Sequence, residues 1–208
     1  MILIGQYDSP FVRRVGIALT LYDLPFDHKP WSVFADADKI RPYNPLIRVP
    51  TLVLDDDTVL IESHNILDYL DSRVPTGLAM FPTDEPARQQ ALKLAALATG
   101  MADKAVSLFY ETRLHKKTSD VWVDRCRAQI SGVLAILEAD RAPRTSDYWF
   151  GGHIGHADIA VVTALRFASE AHPGLVSPAQ CPALTAYAGR LEALPVFRKI
   201  VQPFIPPT

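Results

Sequence analysis

The stretch ILIGQYDSPFVRRVGIAL, residues 2–19, joins a short apolar run to a longer segment with one apolar face. In the longer segment, apolar side chains recur every three or four residues from Phe11 to Tyr22, a spacing that places them on one side of a helix. Pro25 disfavours helical backbone at the residue before it, so the pattern ends there. The stretch therefore predicts a strand that leads directly into an amphipathic helix.

Ser9 and Pro10 stand at the junction between that strand and that helix. Serine is a favoured N-cap residue, and proline is favoured at the first helical position because its missing N–H costs nothing there. Helix capping alone therefore explains both residues. The same geometry also places a hydroxyl beside free backbone N–H groups and the positive end of the helix dipole, an arrangement that binds anions. The local pattern leaves both interpretations of Ser9 open.

The first third of the chain continues with alternating strand and helix patterns. Residues 26–31 are typical of a second strand, and residues 51–54 and 59–61 flank the turn sequence DDDT as a hairpin. The segment between them has no clear pattern. Ser63 then begins a further helical pattern as its cap. This order predicts a four-stranded mixed sheet with helices, an α/β domain over residues 1–76.

Beyond the linker VPTGLAMFPTDEP, strand signals almost disappear. Five segments have helical spacing or an unbroken apolar character instead: residues 84–115, 120–140, 157–168, 182–194 and 195–201. The third segment is apolar on nearly every side, which predicts a buried central helix. Residues 84–208 are therefore predicted to form an all-α domain.

The composition is that of an ordinary globular protein, with 49% hydrophobic and 21% charged residues. The formal net charge of −2 gives no reason to expect a nucleic-acid partner, and no segment approaches the roughly 18 apolar residues of a membrane span. Cys126 and Cys181 form no CxxC motif, which favours a reducing compartment and a cytoplasmic location. His153 and His156 form HxxH without a third ligand at metal spacing, so no metal site is predicted.

The segment NPLIRVPTL, residues 44–52, precedes the hairpin. Cis bonds are found at only about 5–6% of X–Pro positions. A cis bond between Val49 and Pro50 would leave the Val49 N–H and C=O free to pair with an extended peptide. Arg48 beside them is, by default, a solvated loop charge.

The segment IESHNILDYL, residues 61–70, places Glu62 and Ser63 where a strand turns into a helix. A simple cap is one interpretation of Ser63. A carboxylate and a hydroxyl beside free helix N–H groups can also hold the amine and the carboxylate of one ligand together.

Four pieces of the chain occur in the order and spacing of one known family: SPFVRRVGIAL, NPLIRVPTL, the pair ES before a helix, and HADIAVVTALRF. With MADKAVSLFYETR, which is similar to the fourth-helix segment of bacterial members, they resemble the soluble, cytosolic-type glutathione transferases of the serine type. The resemblance covers essentially the whole chain. It implies a thioredoxin-like N-terminal domain followed by an all-α C-terminal domain, in agreement with the change of pattern near residue 75.

The resemblance also implies an activity. A glutathione transferase uses glutathione as co-substrate and conjugates it to an electrophilic small molecule in detoxification, with no metal cofactor. A homodimer is implied as well. Two alternatives stay open: a transferase-like fold that serves as a non-catalytic binding or regulatory protein, and a glutathione-dependent isomerase or reductase.

The resemblance implies that Ser9 is the hydroxyl facing the glutathione sulfur. Such a serine donates a hydrogen bond and does not attack, so it needs no general base, and the nucleophile belongs to glutathione. Tyr7 is the rival, because some classes of the family use a tyrosine near the end of the first strand. The other interpretation of Tyr7 is a half-buried strand residue.

The resemblance assigns the rest of glutathione to positions further along the chain. Val49, before cis-Pro50, would pair with the cysteinyl backbone, and Arg48 would lie near the glycine carboxylate. Glu62 and Ser63 would hold the γ-glutamyl group.

The second substrate and the partner subunit have weaker signals. Asp103 matches an acidic position that in some members reaches the glutathione of the partner subunit. Phe11, Phe109, Tyr110 and Arg113 can line a pocket for the electrophile, and core packing is the alternative role of the aromatic residues.

Overall fold

The structure is a computed structural model that describes residues 1–206 of the chain. The sheet contains four short strands: β1 (Ile2–Ile4), β2 (Asp27–Lys29), β3 (Thr51–Val53) and β4 (Val59–Ile61). They lie in the order β2-β1-β3-β4, with β1 and β2 parallel and the other two pairs antiparallel. Leu3 pairs with His28 on one side and with Leu52 on the other. The predicted four-stranded mixed sheet is confirmed.

The sheet is accompanied by three α-helices and one 3-10 helix: α1 (Pro10–Leu21), α2 (Ala37–Ile40), α3 (Ser63–Ser72) and the 3-10 helix Thr76–Leu78. Fully buried apolar side chains such as Leu3, Val15, Leu52 and Ile66 form the core beside the sheet. Burial of each such side chain contributes roughly 1.5–3 kcal/mol. The segment that lacks a clear sequence pattern contains α2, a single helical turn.

The remainder of the chain is helical: α4 (Ala87–Leu114), α5 (Asp120–Arg141), α6 (His156–Ala171), α7 (Pro182–Glu192) and α8 (Pro195–Lys199). Each of these helices matches a predicted segment to within a few residues at either end. In α6, 12 of the 16 residues are buried, and the helix packs against both α1 and α4. It is the central helix that its apolar pattern predicts.

A buried polar network joins the sheet-containing part to the helical part. The Tyr22 hydroxyl donates to the Asp71 carboxylate, and the Met80 N–H donates to the Tyr22 oxygen at 2.8 Å. His156, at the start of α6, lies with its Nε2 2.7 Å from Asp71 Oδ1. Burial raises the pKa of Asp71, but the hydrogen bonds from His156 and Tyr22 outweigh it and hold the pKa below its usual value. Through Tyr22 and His156, Asp71 therefore connects the C-terminal end of α1, the segment at Met80 and the start of α6.

The two arginines of the opening stretch are both buried, at 2% and 1% exposure. Arg13 forms a bidentate pair with Glu192, with N–O distances of 2.6 and 2.7 Å, and its Nε donates to the Ile200 carbonyl. Such a pair satisfies a buried guanidinium both in charge and in hydrogen bonds. Arg14 has no carboxylate within salt-bridge distance among residues 1–206.

Two features are absent from residues 1–206: a helix that could span a membrane and a cluster of side chains that could hold a metal ion. Of the helices within residues 1–206, none combines the length and the hydrophobicity needed to cross a membrane. In the same residues, no group of three or more histidine, cysteine, aspartate or glutamate side chains is arranged to hold a metal ion. The HxxH histidines lie in different surroundings, because His153 is exposed and His156 is buried against Asp71.

Candidate functional site

A cleft lies where three segments of the sheet-containing part meet: the N-terminus of α1, the loop before β3 and the turn between β4 and α3. Its lining residues are Phe11, Asn44, Arg48, Val49, Pro50, Glu62 and Ser63. The structure therefore brings together the five residues that the family resemblance assigns to the backbone and the two ends of glutathione. Two helix N-termini point positive dipole ends toward this region.

Ser9 is the N-cap residue of α1, as the sequence predicts. Its Oγ accepts a hydrogen bond from the Val12 N–H at 3.4 Å. That bond occupies an oxygen lone pair, so the hydroxyl hydrogen can still be donated to another group. Ser9 is not one of the lining residues, but Phe11, two positions further along α1, is one. Within residues 1–206 the Phe11 N–H has no hydrogen-bond acceptor, so it also faces this end of the helix as a donor.

Val49 offers an unpaired stretch of backbone at the cleft. The Val49–Pro50 peptide bond is cis, and neither the N–H nor the C=O of Val49 has a hydrogen-bond partner within residues 1–206. Gly5, with φ of +125°, lets the end of β1 pack closely here, because a Cβ on it would lie 2.7 Å from the Val49 Cβ. An extended peptide can therefore pair with Val49 as an added strand.

Asn44 is a site residue that the sequence analysis misses. It is 2% exposed, its Nδ2 donates to the Arg48 carbonyl at 2.9 Å, and its Oδ1 accepts from the Leu46 N–H at 3.1 Å. These bonds hold the loop before β3, in which Ile47 has a left-handed φ of +51°. The Asn-Pro pair at the start of the loop is a turn signal and is the feature that could have identified it.

Glu62 and Ser63 form the strand-to-helix turn, but not as predicted. Ser63 is not the cap: it is the first residue of α3, and Glu62 is the N-cap residue without a side-chain capping bond. Glu62 has a left-handed φ of +67°, a conformation that costs a residue with a side chain on the order of 1–3 kcal/mol. A serine before a helical pattern does not reveal a left-handed residue preceding it, which is why the prediction was wrong. The first N–H groups of α3 lack an acceptor within residues 1–206.

Arg48 and Glu62 place opposite charges at the cleft. The Arg48 Nη1 lies 3.4 Å from the Glu62 Oε1, and both side chains are about half exposed, at 57% and 47%. A surface pair of this kind contributes only roughly 0–1 kcal/mol. Both groups are therefore available to exchange their partner for the charged ends of a ligand.

Tyr7 has a packed environment outside the cleft. Its ring stacks on His28, with centroids 3.8 Å apart and planes at 12°, and it lies so close to α1 that a Cβ on Gly16 would be 2.8 Å from its Cε1. Burial raises the pKa of Tyr7 to about 12. Tyr7 lines a second depression together with Arg13 of α1 and with residues of α6.

The residues suggested for the second substrate separate into two groups. Phe109 is 9% exposed and packs edge-on against Phe204, at 5.0 Å between ring centroids. Arg113 is exposed in the last turn of α4. Tyr110, by contrast, lies edge-on to Phe34 at 5.6 Å, and Phe11 lines the cleft.

Tyr110 is electrostatically close to the mouth of the cleft. Burial, and then the charge of Asp8, raise its pKa, whereas the charge of Arg48 lowers it. Asp8 precedes Ser9 and accepts a hydrogen bond from the Ile205 N–H at 3.1 Å. Asp103 lies apart from these groups on α4, half exposed, with its carboxylate 3.3 Å from the Lys104 Nζ.

Comparisons with known proteins agree with this geometry. The sequence model of the glutathione S-transferase N-terminal domain matches residues 3–78, and that of the C-terminal domain matches residues 120–190. The GST-like protein YibF of Escherichia coli K12 is 30% identical over 139 residues, which are 66% of this chain and 68% of that protein.

Two solved structures are similar over nearly the full length. A glutathione S-transferase of Methylobacterium radiotolerans in complex with glutathione sulfonate has a TM-score of 0.90 and 31% identity, covering 100% of this chain and 97% of that one. A glutathione transferase family member of Pseudomonas fluorescens with bound glutathione has a TM-score of 0.83 and 31% identity, covering 98% and 99%.

The fold and the cleft define a thioredoxin-like domain with an all-helical partner domain. The chain belongs to the glutathione S-transferase family. Its activity is accordingly that of a glutathione S-transferase, with glutathione as co-substrate.

Proposed function

We propose that the cleft binds glutathione and that Ser9 donates a hydrogen bond to its sulfur, activating the thiolate for attack on an electrophilic small molecule. The observation that carries this assignment is the Ser9 hydroxyl at the N-terminus of α1. Its oxygen accepts from the Val12 N–H and its hydrogen remains available. Capping and thiolate stabilisation thus use the same group without competition.

The chemistry requires a lower thiol pKa. A thiol with a pKa of about 8.5 is only about 3% ionised near pH 7, and a pKa two units lower makes roughly three-quarters of it ionised. Each unit corresponds to about 1.4 kcal/mol of preference for the anion. A hydroxyl donor and a helix N-terminus with a free N–H can together supply two or three kcal/mol. Binding both reactants in one cleft adds the advantage of proximity.

We assign the rest of glutathione to the other residues that line the cleft. Val49 would pair with the cysteinyl backbone through its unpartnered N–H and C=O. Glu62 would bind the γ-glutamyl amine, and Ser63 with the N–H groups of α3 would bind the carboxylate beside it. Arg48 would lie near the glycine carboxylate.

The electrophile and the assembly belong to the same proposal. We place the electrophile beside Phe11, which lines the cleft, and Tyr110, where the charge of the cleft residue Arg48 opposes the rise in pKa that burial causes, and we keep Phe109 and Arg113 as weaker candidates. We also propose a homodimer in which Asp103 reaches the glutathione of the partner subunit. Analytical ultracentrifugation of the wild type and of Asp103→Asn, with glutathione titrations of both, tests the two statements.

Domain division and location complete the proposal. We propose a glutathione-binding domain over residues 1–76 and a helical domain over residues 84–208 that contributes to the acceptor pocket. A cytoplasmic location is supported by the two buried free thiols, Cys126 and Cys181, whose pKa burial raises. Fractionation of cells that express the protein tests the location.

Replacement of Ser9 tests the central assignment. In Ser9→Ala, we expect kcat/KM for conjugation near pH 7 to fall by about ten- to thirtyfold, because the bound thiol is then mostly protonated. The loss should become smaller as the pH approaches the thiol pKa. The measurement is the pH dependence of conjugation of glutathione to a chromogenic aryl halide.

Two controls isolate the sulfur contact. Ser119 caps α5 in the same way, with its Oγ 3.4 Å from the Trp122 N–H, so Ser119→Ala removes a matched cap outside the cleft and should leave kcat/KM unchanged. Tyr7→Phe removes the rival hydroxyl. Unchanged conjugation in Ser9→Ala together with a large loss in Tyr7→Phe would transfer the role to Tyr7.

A further inference from the structure

Arg14 is a fully buried cation that has no carboxylate within salt-bridge distance in the described part of the chain, residues 1–206. Its side chain is 1% exposed, and its Nε and Nη1 have no hydrogen-bond partner within residues 1–206. Among the described residues, its side chain makes one hydrogen bond, from Nη2 to the Nδ1 of His64 at 3.3 Å. Burial lowers the pKa of Arg14 to about 9, which leaves the group charged near pH 7. A buried charge needs its remaining partners, so the His64 contact matters more to Arg14 than one surface hydrogen bond would.

The direction of each hydrogen bond around His64 follows from the donors. Arginine can only donate, so the His64 Nδ1 must be an acceptor and carry no proton. The proton of a neutral imidazole then lies on Nε2, which is 3.1 Å from the Thr99 Oγ1. The Thr99 hydroxyl donates in turn to the Ala95 carbonyl at 2.9 Å. The chain Arg14, His64, Thr99 therefore has a single consistent proton arrangement, with a neutral histidine at its centre.

The neutral state of His64 has a second support. Burial, and then the charge of Arg14, lower the pKa of His64 to about 4. His64 is exposed, yet its two ring nitrogens are engaged by Arg14 and Thr99, which are both buried. The imidazole ring therefore links Arg14 and Thr99 through its two nitrogens at the protein surface.

The location of His64 connects this chain of hydrogen bonds to the cleft. His64 directly follows Ser63 in the first turn of α3, whereas Arg14 belongs to α1 and Thr99 to α4. The turn before it contains the left-handed Glu62, which has no side-chain cap. A strained, uncapped turn persists only when its surroundings hold it. The two ring nitrogens of His64 anchor the α3 side of that turn to two other helices.

We propose that His64 is a positioning residue for glutathione: by bonding Arg14 and Thr99 it holds the first turn of α3, and with it Glu62 and Ser63, in the geometry that binds the γ-glutamyl group. This inference rests on the proposed assignment of Glu62 and Ser63 to that group. Its own content is that the affinity for glutathione depends on a contact between the two domains that does not touch the ligand.

The test separates binding from turnover. His64→Phe keeps a ring of similar shape and removes both hydrogen bonds, and Thr99→Val removes the acceptor of Nε2 while preserving side-chain shape. We expect the KM for glutathione to rise about five- to tenfold in His64→Phe and by less in Thr99→Val, as the loss of one or two hydrogen bonds predicts. The kcat at saturating glutathione and the KM for the electrophile should stay within about twofold of wild type, since neither residue contacts the sulfur.

Additional variants exclude a merely structural effect. Thr99→Ser keeps the hydroxyl and should restore the wild-type KM. Thr99→Val added to His64→Phe should raise the KM no further, because the bond between the two residues is already absent. Asp68→Asn changes an exposed residue of α3 whose side chain makes no hydrogen bond or ion pair within residues 1–206, and it should have the wild-type KM. Should His64→Phe not fold, His64→Asn, which can still accept from Arg14, and the Thr99 variants give the same comparison.

The outcomes distinguish this inference from the assignment beneath it. If the wild type binds glutathione by calorimetry, and Glu62→Gln weakens that binding, while His64→Phe and Thr99→Val keep the wild-type KM, the positioning role is wrong and the site assignment stands. A fall in kcat and in thermal stability without a change in KM would also overturn it, since that is the effect of structural damage. If the wild type shows no binding of glutathione, the assignment of the cleft itself fails.

Discussion

The N-termini of α1 and α3 differ although both have a serine at the same place in the sequence pattern. At α1, Ser9 lies outside the helix in extended conformation and caps it through Val12. At α3, Ser63 is already the first helical residue, buried at 2%, and the left-handed Glu62 precedes it. The N-terminus of α1 is capped by the side chain of Ser9, whereas Glu62 provides no side-chain cap for the N-terminus of α3.

This difference makes the N-termini of α1 and α3 suitable for different groups of a ligand. A capped end with a free hydroxyl hydrogen can donate one directed bond, which suits a single sulfur atom. An uncapped end presents several backbone N–H groups, which suits a carboxylate with two oxygens. Glu62 before α3 also has a left-handed φ of +67°, and backbone strain of this kind clusters at binding sites.

The largest expected effect that tests this comparison is the change in the KM for glutathione when Glu62 is substituted. Glu62→Gln removes the charge that would bind the γ-glutamyl amine, so the KM for glutathione should rise about tenfold or more, the usual cost of losing a charged hydrogen bond. The kcat at saturation should change little, because in the proposed site Glu62 binds the γ-glutamyl group and does not contact the sulfur. Steady-state kinetics with glutathione as the varied substrate measures both.

Asp57 provides a matched control for that change. It is also acidic and also has a left-handed backbone, with φ of +64°, but it lies in the turn between β3 and β4. Asp57→Asn should therefore leave the KM unchanged. Equal effects of the two substitutions would mean that net charge, and not a specific contact at α3, determines glutathione binding.

A smaller effect is expected on the free energy of unfolding, which the alanine substitution at α1 should lower by more than the one at α3. Ser9→Ala removes a cap, which typically costs about 1 kcal/mol of the free energy of unfolding. Ser63→Ala should change it by less than about 0.5 kcal/mol, since the Ser63 Oγ has no hydrogen bond within residues 1–206. Urea denaturation of both variants and the wild type measures the difference. A cost of similar size in Ser63→Ala would show that its hydroxyl has a structural role.

The sequence predicts those parts of the fold that depend on local spacing. The helix over 156–171 and the hairpin around the DDDT turn are confirmed because their signals lie within the elements themselves. Ser9 as a cap is confirmed for the same reason. The failure at Ser63 arises because the conformation of Glu62 is imposed by the turn between β4 and α3, and a glutamate carries no signal for a left-handed backbone.

The rest of the site depends on residues that are distant in sequence. His64 is separated by 50 positions from Arg14 and by 35 from Thr99, so no local pattern can pair them. Asn44 is buried by a loop whose course the sequence leaves undefined. The resemblance to a family supplied the binding residues, whereas the groups that hold those residues in place emerge only from the three-dimensional structure.

The smallest expected effect concerns acid, to which the two helix ends should respond in opposite directions. At α3, the pKa of His64 is lowered to about 4, so the stability that depends on its neutral form is present above the usual histidine pKa of about 6.5 and is lost as the pH falls toward 4. At α1, burial raises the pKa of Asp8, so protonation favours the folded state. Stability linked to that group is therefore greatest in acid and is lost as the pH rises through its folded-state pKa.

Substitution of each group by asparagine separates these two contributions. The free energy of unfolding should fall between about pH 7 and pH 5 in the wild type, and the fall should be shallower in His64→Asn, which cannot titrate. As the pH falls toward the usual aspartate pKa, Asp8→Asn should lose stability more steeply than the wild type, because it lacks the compensating protonation. His28 and His156 also have lowered pKa values from burial and give all variants a common decline, so the comparison depends on differences in slope. Parallel curves for His64→Asn and the wild type would mean that burial and the charge of Arg14 do not hold the His64 ring in its neutral form.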